Sequence, residues 1–312
     1  LSDLVFRPSF NTNEFNVERE VVLEEIAQYK DQPDEVIFQK LLNNCWGDHP
    51  YGRTILGVEE SLISSTTEQM RLFHKKHYIP QNSCLAISGP LTYDIRNSID
   101  DIFSSKTQLK TSNSSNINPS RKLSFSKGRE IICVPRLESA RILMAWPIPE
   151  AKKQLIIMGC DIATSLLAQG RRSLLVNRLR EELQIVEYID MDITILEEGG
   201  LILLEAYCMK EKIEIVEKEI YRLLKHSIET PFSQSEVNRA CKLVENNFIF
   251  SLETPNQLAY LAGNKGLWNR QEPLEDQSNY IKHWNRLKLD NIMDLMDPDL
   301  VNTLIAIPEV NI

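Results

Sequence analysis

Two glutamates near the start of the chain lie at a spacing that could serve chemistry. The stretch EREVVLEE places Glu18 and Glu25 on either side of Val21 and Val22. Because an α-helix repeats every ~3.6 residues, these four side chains share one face, with a carboxylate at each end of the valine pair. That face is too apolar for a fully solvated helix and too acidic for a core helix. Most glutamates of soluble proteins are exposed, so the spacing alone leaves both interpretations open.

A histidine pair, His74-x-x-His77, is the second candidate for chemistry. On a helix the two rings could reach one metal ion. However, Lys75 and Lys76 lie between them, and positive neighbours oppose a cation. The favoured interpretation is that both histidines pack at a helix C-terminus, where positive charge is stabilised. No nucleophile elbow, phosphate-binding loop or dinucleotide fingerprint occurs in the chain.

Hydrophobic periodicity predicts the elements that would position these side chains. Thr66 and Gln69 have the spacing of a capping box at the start of the histidine helix. In the first part of the chain the pattern predicts helices at 14–30, 34–45, 66–78 and 92–103, and one strand at 83–88. In the second part it predicts strands at 129–136, 140–149, 187–196, 200–209 and 303–308, and helices at 151–169, 173–183, 211–227, 234–250, 255–268 and 275–296. A hairpin turn is expected at 197–200.

The order of these elements predicts an α+β protein of two homologous sandwich domains, each of antiparallel sheet and helices. Residues 104–127, rich in Ser, Asn and Lys, are predicted to be a flexible linker between domain 1–103 and domain 128–312. The second domain has about a hundred residues before its Ser233-x-x-Glu236 capping box, whereas the first has only 1–13 before Glu14. The first domain is therefore expected to be truncated at its N-terminus.

Composition limits the class of protein. Of 312 residues, 42% are hydrophobic and 25% charged, as in soluble globular proteins. No apolar run approaches the ~20 residues that span a bilayer, and no leader is visible, which favours a cytoplasmic location. Six scattered cysteines, with no CxxC, indicate a reducing compartment. The net charge of −9 argues against nucleic acid and is compatible with basic peptides as partners.

Several motifs in order resemble the insulinase (pitrilysin) family of zinc metallopeptidases, in its mitochondrial-processing-peptidase-like bacterial branch. These motifs are FNVEREVVLEEI, DEVIFQKLL, HPYGRTILGVEESL, HKKHYIPQNSCLAISG and GRRSLLVNRLREEL. The resemblance extends over essentially the whole chain. It implies two α+β domains that close around an unfolded peptide, whose backbone adds to a sheet edge.

The resemblance also implies a zinc site. Family members bind Zn²⁺ through an inverted H-x-x-E-H motif on one helix and through a glutamate on a later helix. On this pattern Glu25 is the third zinc ligand. Glu18 is a carboxylate that does not bind the metal itself but helps to orient the ligands. None of the five histidines begins an H-x-x-E-H motif. The motif is therefore expected before Leu1, in the segment that the repeat comparison finds missing, and the chain as it stands is expected to hold no zinc.

The family's second domain supplies an arginine and, about seven residues later, a tyrosine that hold the substrate and stabilise the oxyanion. Arg180 stands at the arginine position, but Glu187 occupies the tyrosine position and Tyr188 follows it. Gln184 stands near the place of a family glycine. Either the strand register slips by one and Tyr188 serves, or the chain departs from the catalytic pattern.

Two functions remain open from the sequence. The favoured one is a zinc metalloendopeptidase that hydrolyses unfolded, possibly basic peptides, with this chain inactive as it stands. The alternative is a noncatalytic subunit that binds peptides or stabilises an active partner. Glu18 and Glu25 favour the first, and Glu187 favours the second. The expected partner is a second copy of the chain or a related subunit in a dimer, and the net charge and the short apolar runs argue against nucleic-acid and membrane partners.

Overall fold

The computed structural model describes residues 1–107, 122–270, 272–273, 276–284 and 286–309. Most of the predicted linker, 108–121, lies outside these residues. The helices are α1 (Ser2–Phe6), α2 (Thr12–Lys30), α3 (Pro33–Trp46), α4 (Glu59–Ile63), α5 (Thr67–His77), α6 (Tyr93–Thr107), α7 (Gln154–Ala168), α8 (Ile213–Glu229), α9 (Gln234–Phe250), α10 (Pro255–Leu267), α11 (Asp276–His283) and α12 (Arg286–Met293). The strands are β1 (Gly128–Val134), β2 (Ala140–Ile148), β3 (Tyr188–Ile195), β4 (Gly200–Cys208) and β5 (Asn302–Pro308). In the part of the chain that is described, no helix is both long and apolar enough to cross a bilayer.

All five described strands form one sheet, in the order β1-β5-β2-β4-β3. β1 runs parallel to β5, and the other neighbouring pairs are antiparallel. The predicted hairpin between β3 and β4 is confirmed, because Leu196 N–H donates to Gly199 O at 3.0 Å. A mainly antiparallel sheet combined with helices confirms the predicted α+β class.

The sheet is covered on both faces, because successive side chains of a strand point to opposite sides. Ile142 and Met144 of β2 belong to the larger core, which they share with α7, α8, α9, α11 and α12. Leu143, between them, belongs to a second core on the other face, to which α3 contributes Ile37 and Leu41. A helix from the first part of the chain thus packs on a sheet formed entirely by the second part.

Contacts divide the chain into two compact units. Unit 1 consists of Leu1–Tyr29, Thr54–Lys122 and Ser251–Gln271, and unit 2 of Lys30–Arg53, Leu123–Phe250 and Glu272–Ile312. This division differs from the predicted domains 1–103 and 128–312 at two helices. Helix α3 belongs to unit 2 because of its packing on the sheet, and α10 belongs to unit 1. That the two predicted domains are homologous stays a prediction.

The regular elements that the structure describes in unit 1 are all helices. The predicted capping box of α5 is confirmed, since Thr66 and Gln69 exchange side-chain and backbone hydrogen bonds. The predicted strand at 83–88 is wrong, because a strand needs a hydrogen-bonded neighbour and the described residues of unit 1 provide none. Ile26 of α2 is the one buried hydrophobic side chain among the described residues of unit 1.

Two predicted helices of unit 2 differ from expectation. In the predicted helix 173–183, the segment Val176–Glu182 is π-helical, and Leu183 N–H donates to Arg178 O five residues back. The predicted helix 275–296 is interrupted, because α11 ends at a tight turn in which Trp284 N–H donates to Ile281 O at 3.2 Å. Wide π-helical turns occur often near functional sites, which directs attention to the side chains on this one.

Candidate functional site

Helix α2 in unit 1 presents the two candidate glutamates to solvent. Glu18 and Glu25 are both exposed. Seven residues of α-helix advance by about 10 Å, so the two carboxylates share a face but lie too far apart along the axis to be direct ligands of one ion. Val21, on the glutamate face, is 48% exposed, whereas Ile26 is buried. The helix therefore packs through the side that carries Ile26, which is next to the face of Glu18 and Glu25.

The histidine pair in unit 1 has the predicted structural role. The Nε2 atom of His74 lies 2.7 Å from Val5 O, and its ring stacks on Tyr78 with centroids 4.7 Å apart. The His77 ring packs against Phe73 at 4.5 Å. Ring nitrogens and faces that pack in this way are not arranged for a shared metal ion.

The described residues do not fit a complete zinc site. Catalytic zinc in proteins has three protein ligands and an open position. Within the described ranges, no three His, Cys, Asp or Glu side chains are grouped closely enough to hold a metal. Glu25 is one suitable ligand by its chemistry and exposure, so its zinc role stays a prediction that requires further ligands.

Arg180 lies on the π-helical segment of unit 2. Its guanidinium pairs with the adjacent carboxylate of Glu181 at 2.8 Å. A salt bridge links this segment to α8, because Arg178 Nε lies 3.2 Å from Glu219 Oε1. Arg222 and Arg178 hydrogen-bond to Glu219 and lower the pKa of its carboxyl from 4.5 to about 2. The candidate substrate arginine thus stands on a segment that ion pairs anchor on one side.

The backbone at Gln184 has the conformation that glycine prefers. Its φ is +50°, in the left-handed region, where a Cβ atom is crowded. The position is also near the place of the family glycine. Lys212 Nζ donates to Gln184 O at 3.2 Å, which helps to hold this turn before β3. The backbone at this position therefore has a conformation that favours glycine, although the residue is glutamine.

Tyr188 opens β3 and is 40% exposed. Its ring packs against Tyr207, the facing residue of β4, with centroids 4.9 Å apart, and its hydroxyl donates to Asp190 Oδ2 at 3.3 Å. Partial burial and the neighbouring Asp190 carboxylate raise the pKa of the Tyr188 hydroxyl. Glu187 N–H donates to Tyr207 O at 2.8 Å, and Glu187 Oε2 accepts from Ser139. Because successive residues of an extended segment face opposite sides, the side chains of Glu187 and Tyr188 point to different sides, and the role of Tyr188 stays a prediction.

Three residues that no sequence motif marked lie on the same face of the sheet as Tyr188: Arg141 of β2, and Glu205 and Tyr207 of β4. Arg141 of β2 places its guanidinium carbon 3.5 Å from the ring centroid of Tyr207, and its Nε lies 3.4 Å from Asp34 Oδ1. Burial, followed by the charge of Glu205, raises the pKa of Tyr207 to about 12. The sequence contains one signal for these residues, because polar side chains recur at alternate positions of two otherwise apolar strands. Such side chains point away from the larger core.

The chain's relatives among known proteins are named as zinc proteases. An "Uncharacterized zinc protease" of Rickettsia felis is 24% identical over 308 residues, which cover 97% of this chain and 69% of that protein. A second protein of that description, from Streptomyces coelicolor, is 23% identical over 279 residues, or 88% of this chain and 60% of its own length. The chain thus spans about two thirds or less of these relatives.

Solved structures show the same fold. A protease from Helicobacter pylori superposes with a TM-score of 0.80 at 20% identity, covering 96% of this chain and 73% of that one. A peptidase M16 inactive domain from Pseudomonas fluorescens superposes with a TM-score of 0.79 at 16% identity, covering 99% and 74%.

The sequence patterns of two parts of one peptidase family match this chain in order. The pattern described as insulinase (peptidase family M16) matches residues 1–59. The pattern described as the peptidase M16 inactive domain matches residues 64–244, more than half of the 312 residues. The chain therefore belongs to the insulinase family of peptidases, M16.

Proposed function

We propose that the chain is part of a zinc-dependent metalloendopeptidase that hydrolyses unfolded peptides. The observation that carries this proposal is Glu25, exposed on α2 at the family's ligand position, within a chain whose relatives are named zinc proteases. Zinc in such enzymes polarises the scissile carbonyl and activates a water molecule. Since the described residues offer only one ligand of a set, the proposal requires histidine ligands from outside these 312 residues.

The proposed roles follow from the chemistry of each side chain. Glu25 is a zinc ligand, and Glu18, about 10 Å farther along the helix axis, orients neighbouring groups of the site. Arg180 and Tyr188 in unit 2 hold the substrate, because a guanidinium and a phenol hydroxyl donate hydrogen bonds to peptide carbonyls and to an oxyanion. The pairing of Arg180 with Glu181 has to loosen before the guanidinium binds a substrate.

The first prediction tests the zinc ligand in the complete gene product. Glu25→Gln is expected to reduce bound zinc and to lower kcat/KM for an unstructured peptide about 100-fold or more, because an amide is a poor substitute for an anionic ligand. Glu24→Gln is the matched control, since Glu24 is an exposed neighbour that lies off the shared face of Glu18 and Glu25. Zinc content measured by mass spectrometry separates loss of metal from loss of fold.

Two outcomes contradict this assignment. Undiminished zinc and cleavage in Glu25→Gln remove Glu25 from the site. Zinc-dependent cleavage by the 312-residue chain alone shows that these residues need no further ligands.

A noncatalytic family-like subunit is the second candidate. It is favoured by Glu187, which takes the place of the family's tyrosine, and by the match of 64–244 to a domain described as inactive. Such a subunit binds peptides or stabilises an active partner, as a homodimer or with a related chain. The encoded sequence that adjoins Leu1 separates the candidates, because an H-x-x-E-H motif there supports the enzyme and its absence supports the subunit.

A further inference from the structure

Strand β1 is an edge of the unit 2 sheet. It pairs with β5 on one side, and no other described strand pairs with its outer side. The backbone N–H and C=O groups on that outer side are therefore available to an added strand. Strand β3 is the opposite edge of the sheet, so the side chains of each edge determine what kind of strand fits there.

The hydrogen bonds at the two ends of β1 show which of its backbone groups point outward. Gly128 N–H donates to Val301 O at 3.2 Å. At the other end, Val134 O accepts from Glu309 N–H at 3.3 Å. Both bonds point toward β5, and successive residues of a strand direct their N–H and C=O groups to opposite edges. The residues that direct these groups outward are therefore Arg129, Ile131 and Cys133.

The middle of β1 is apolar, and the charged residues of the strand are paired. Ile131, at the centre of the strand, is 50% exposed. Arg129 pairs with Glu217 at 2.8 Å. Glu130 pairs with Lys40 of α3 at 3.0 Å. Because each charged side chain of the strand has an opposite charge beside it, this edge does not repel an identical edge.

A second copy of the same edge fits this geometry. When a two-fold axis relates two identical antiparallel strands, only residues an even number of positions apart can lie opposite each other, because facing side chains share one face. With the axis at Ile131, this residue faces its own copy, and Arg129 faces Cys133 of the second copy. All three are outward residues, so each pair can exchange both of its hydrogen bonds. Pro135, which has no N–H, ends this ladder beyond Cys133.

The edge at β3 does not fit a copy of itself. Asp190 and Asp192 lie on one face of this strand. With the axis at Met191, Asp190 faces Asp192 of the second copy, and with the axis at Asp192 two copies of this residue meet. These are the two registers that overlap β3 most fully, and like charges directly opposite each other destabilise a strand pair. The charges therefore favour self-pairing at β1 and oppose it at β3.

We propose that the outer edge of β1 is a self-association surface, at which two copies of the chain join their sheets antiparallel across a two-fold axis at Ile131. Backbone hydrogen bonds and the contact between the two Ile131 side chains supply the affinity. The expected dimer thereby acquires a specific surface. The association needs neither zinc nor peptide cleavage, so it does not rest on the proposed function.

Sedimentation equilibrium of the 312-residue chain measures this association. A dimer with a Kd of about 1–100 µM is expected, because a single pair of strands buries less surface than a standard interface. Ile131→Asp is expected to weaken the dimer at least about tenfold, since two carboxylates then lie opposite each other. The matched control is Ile249→Asp on α9, where the isoleucine is 53% exposed. Its Kd is expected to stay within about twofold of that of the unmodified chain.

A cross-link tests the register of the two strands. Ile131→Cys in a Cys133→Ser background is expected to form a disulfide-linked dimer under mild oxidation. The Cα atoms of a hydrogen-bonded antiparallel pair lie about 5.5 Å apart, which is within the range of a disulfide. Ile249→Cys in the same background is the control and is expected to remain without a cross-link.

Three outcomes overturn the proposal. The first is a monomeric chain whose circular dichroism spectrum shows it to be folded, even if β1 then binds a related chain or a peptide. The second is equal weakening by Ile131→Asp and Ile249→Asp, which would show general charge repulsion. The third is a dimer that Ile131→Cys does not cross-link. Failure of the complete protein to bind zinc or to cleave peptides leaves the association unaffected, so the two proposals fail independently.

Discussion

At the scale of single residues, two carboxylates of unit 2 have opposite relations to folding. Asp161 on α7 is largely buried and lies near the negative charge of Asp192. Burial first, and then this charge, raise the pKa of its carboxyl from 3.8 to about 6. Glu219 on α8 accepts hydrogen bonds from two arginines, which lower its pKa from 4.5 to about 2. The first carboxylate opposes folding once it is ionised, and the second supports it.

The pH dependence of stability tests this contrast. Between pH 3.8 and about 6 the folded state binds more protons at Asp161 than the unfolded state, so the contribution of this group to stability falls as pH rises. Asp161→Asn is expected to raise the melting temperature at pH 7 by about 2–6 °C and to have little effect near pH 3.8. Differential scanning calorimetry across this range measures both.

Glu219→Gln provides the control of opposite sign. Its lowered pKa stabilises the fold above pH 4.5, and that contribution is lost as pH falls toward about 2. The variant is expected to be destabilised at pH 7 and to approach the unmodified chain in acid. A destabilised Asp161→Asn at pH 7 would show that the aspartate makes a favourable interaction that outweighs its burial.

At the scale of elements, the helices of unit 2 pack very closely at one glycine. Gly159 of α7 faces Trp284, and a Cβ atom at this glycine would lie 2.6 Å from the indole ring and 2.9 Å from Ile292. The indole is held in place because Trp284 Nε1 donates to Leu155 O at 2.9 Å. The ring therefore cannot easily move aside for an added methyl group.

Gly159→Ala is expected to destabilise the protein by about 2 kcal/mol, since overpacking a core outweighs the gain in helix propensity. Gly263→Ala in α10 is the matched control. Its added Cβ would lie 3.6 Å from Ala86 Cβ, which is an ordinary contact. The free energy of unfolding is therefore expected to rise by up to about 1 kcal/mol. Urea unfolding measures both changes. A stabilised Gly159→Ala would contradict the packing of Trp284 on this glycine.

At the scale of the whole molecule, hydrophobic burial is unevenly distributed. Both core clusters belong to unit 2, whereas the described part of unit 1 buries Ile26 alone and exposes large side chains such as Leu72, Phe73 and Ile87. Because burial of apolar surface is the main source of stability, the two units are expected to open with different free energies.

Hydrogen exchange followed by mass spectrometry tests this difference. Backbone amides of β2, β4 and β5 are expected to exchange at least about tenfold more slowly than those of α4, α5 and α6. The comparison is internal to one sample, so it needs no variant. Equal protection of the two sets would show that unit 1 is stabilised by more than the burial seen in the described residues.

The sequence by itself determined the strands and most of the helices of unit 2, and the class of the fold. Alternating apolar residues predicted the strands, and capping residues marked helix starts, because both patterns act within a few residues of chain. The shared face of Glu18 and Glu25 also followed from spacing alone, since helix geometry is local. The resemblance of motifs identified the family, which the matches over residues 1–59 and 64–244 confirm.

Only the tertiary structure decided which residues meet and which segments find partners. Arg141, Tyr188 and Tyr207 come from three strands and share one face through the register of the sheet, which no local pattern encodes. The apolar segment 83–88 was predicted as a strand but forms none, because strand formation depends on a neighbour and not on the segment itself. Long-range pairing decided both outcomes, and it is the part of folding that sequence periodicity does not specify.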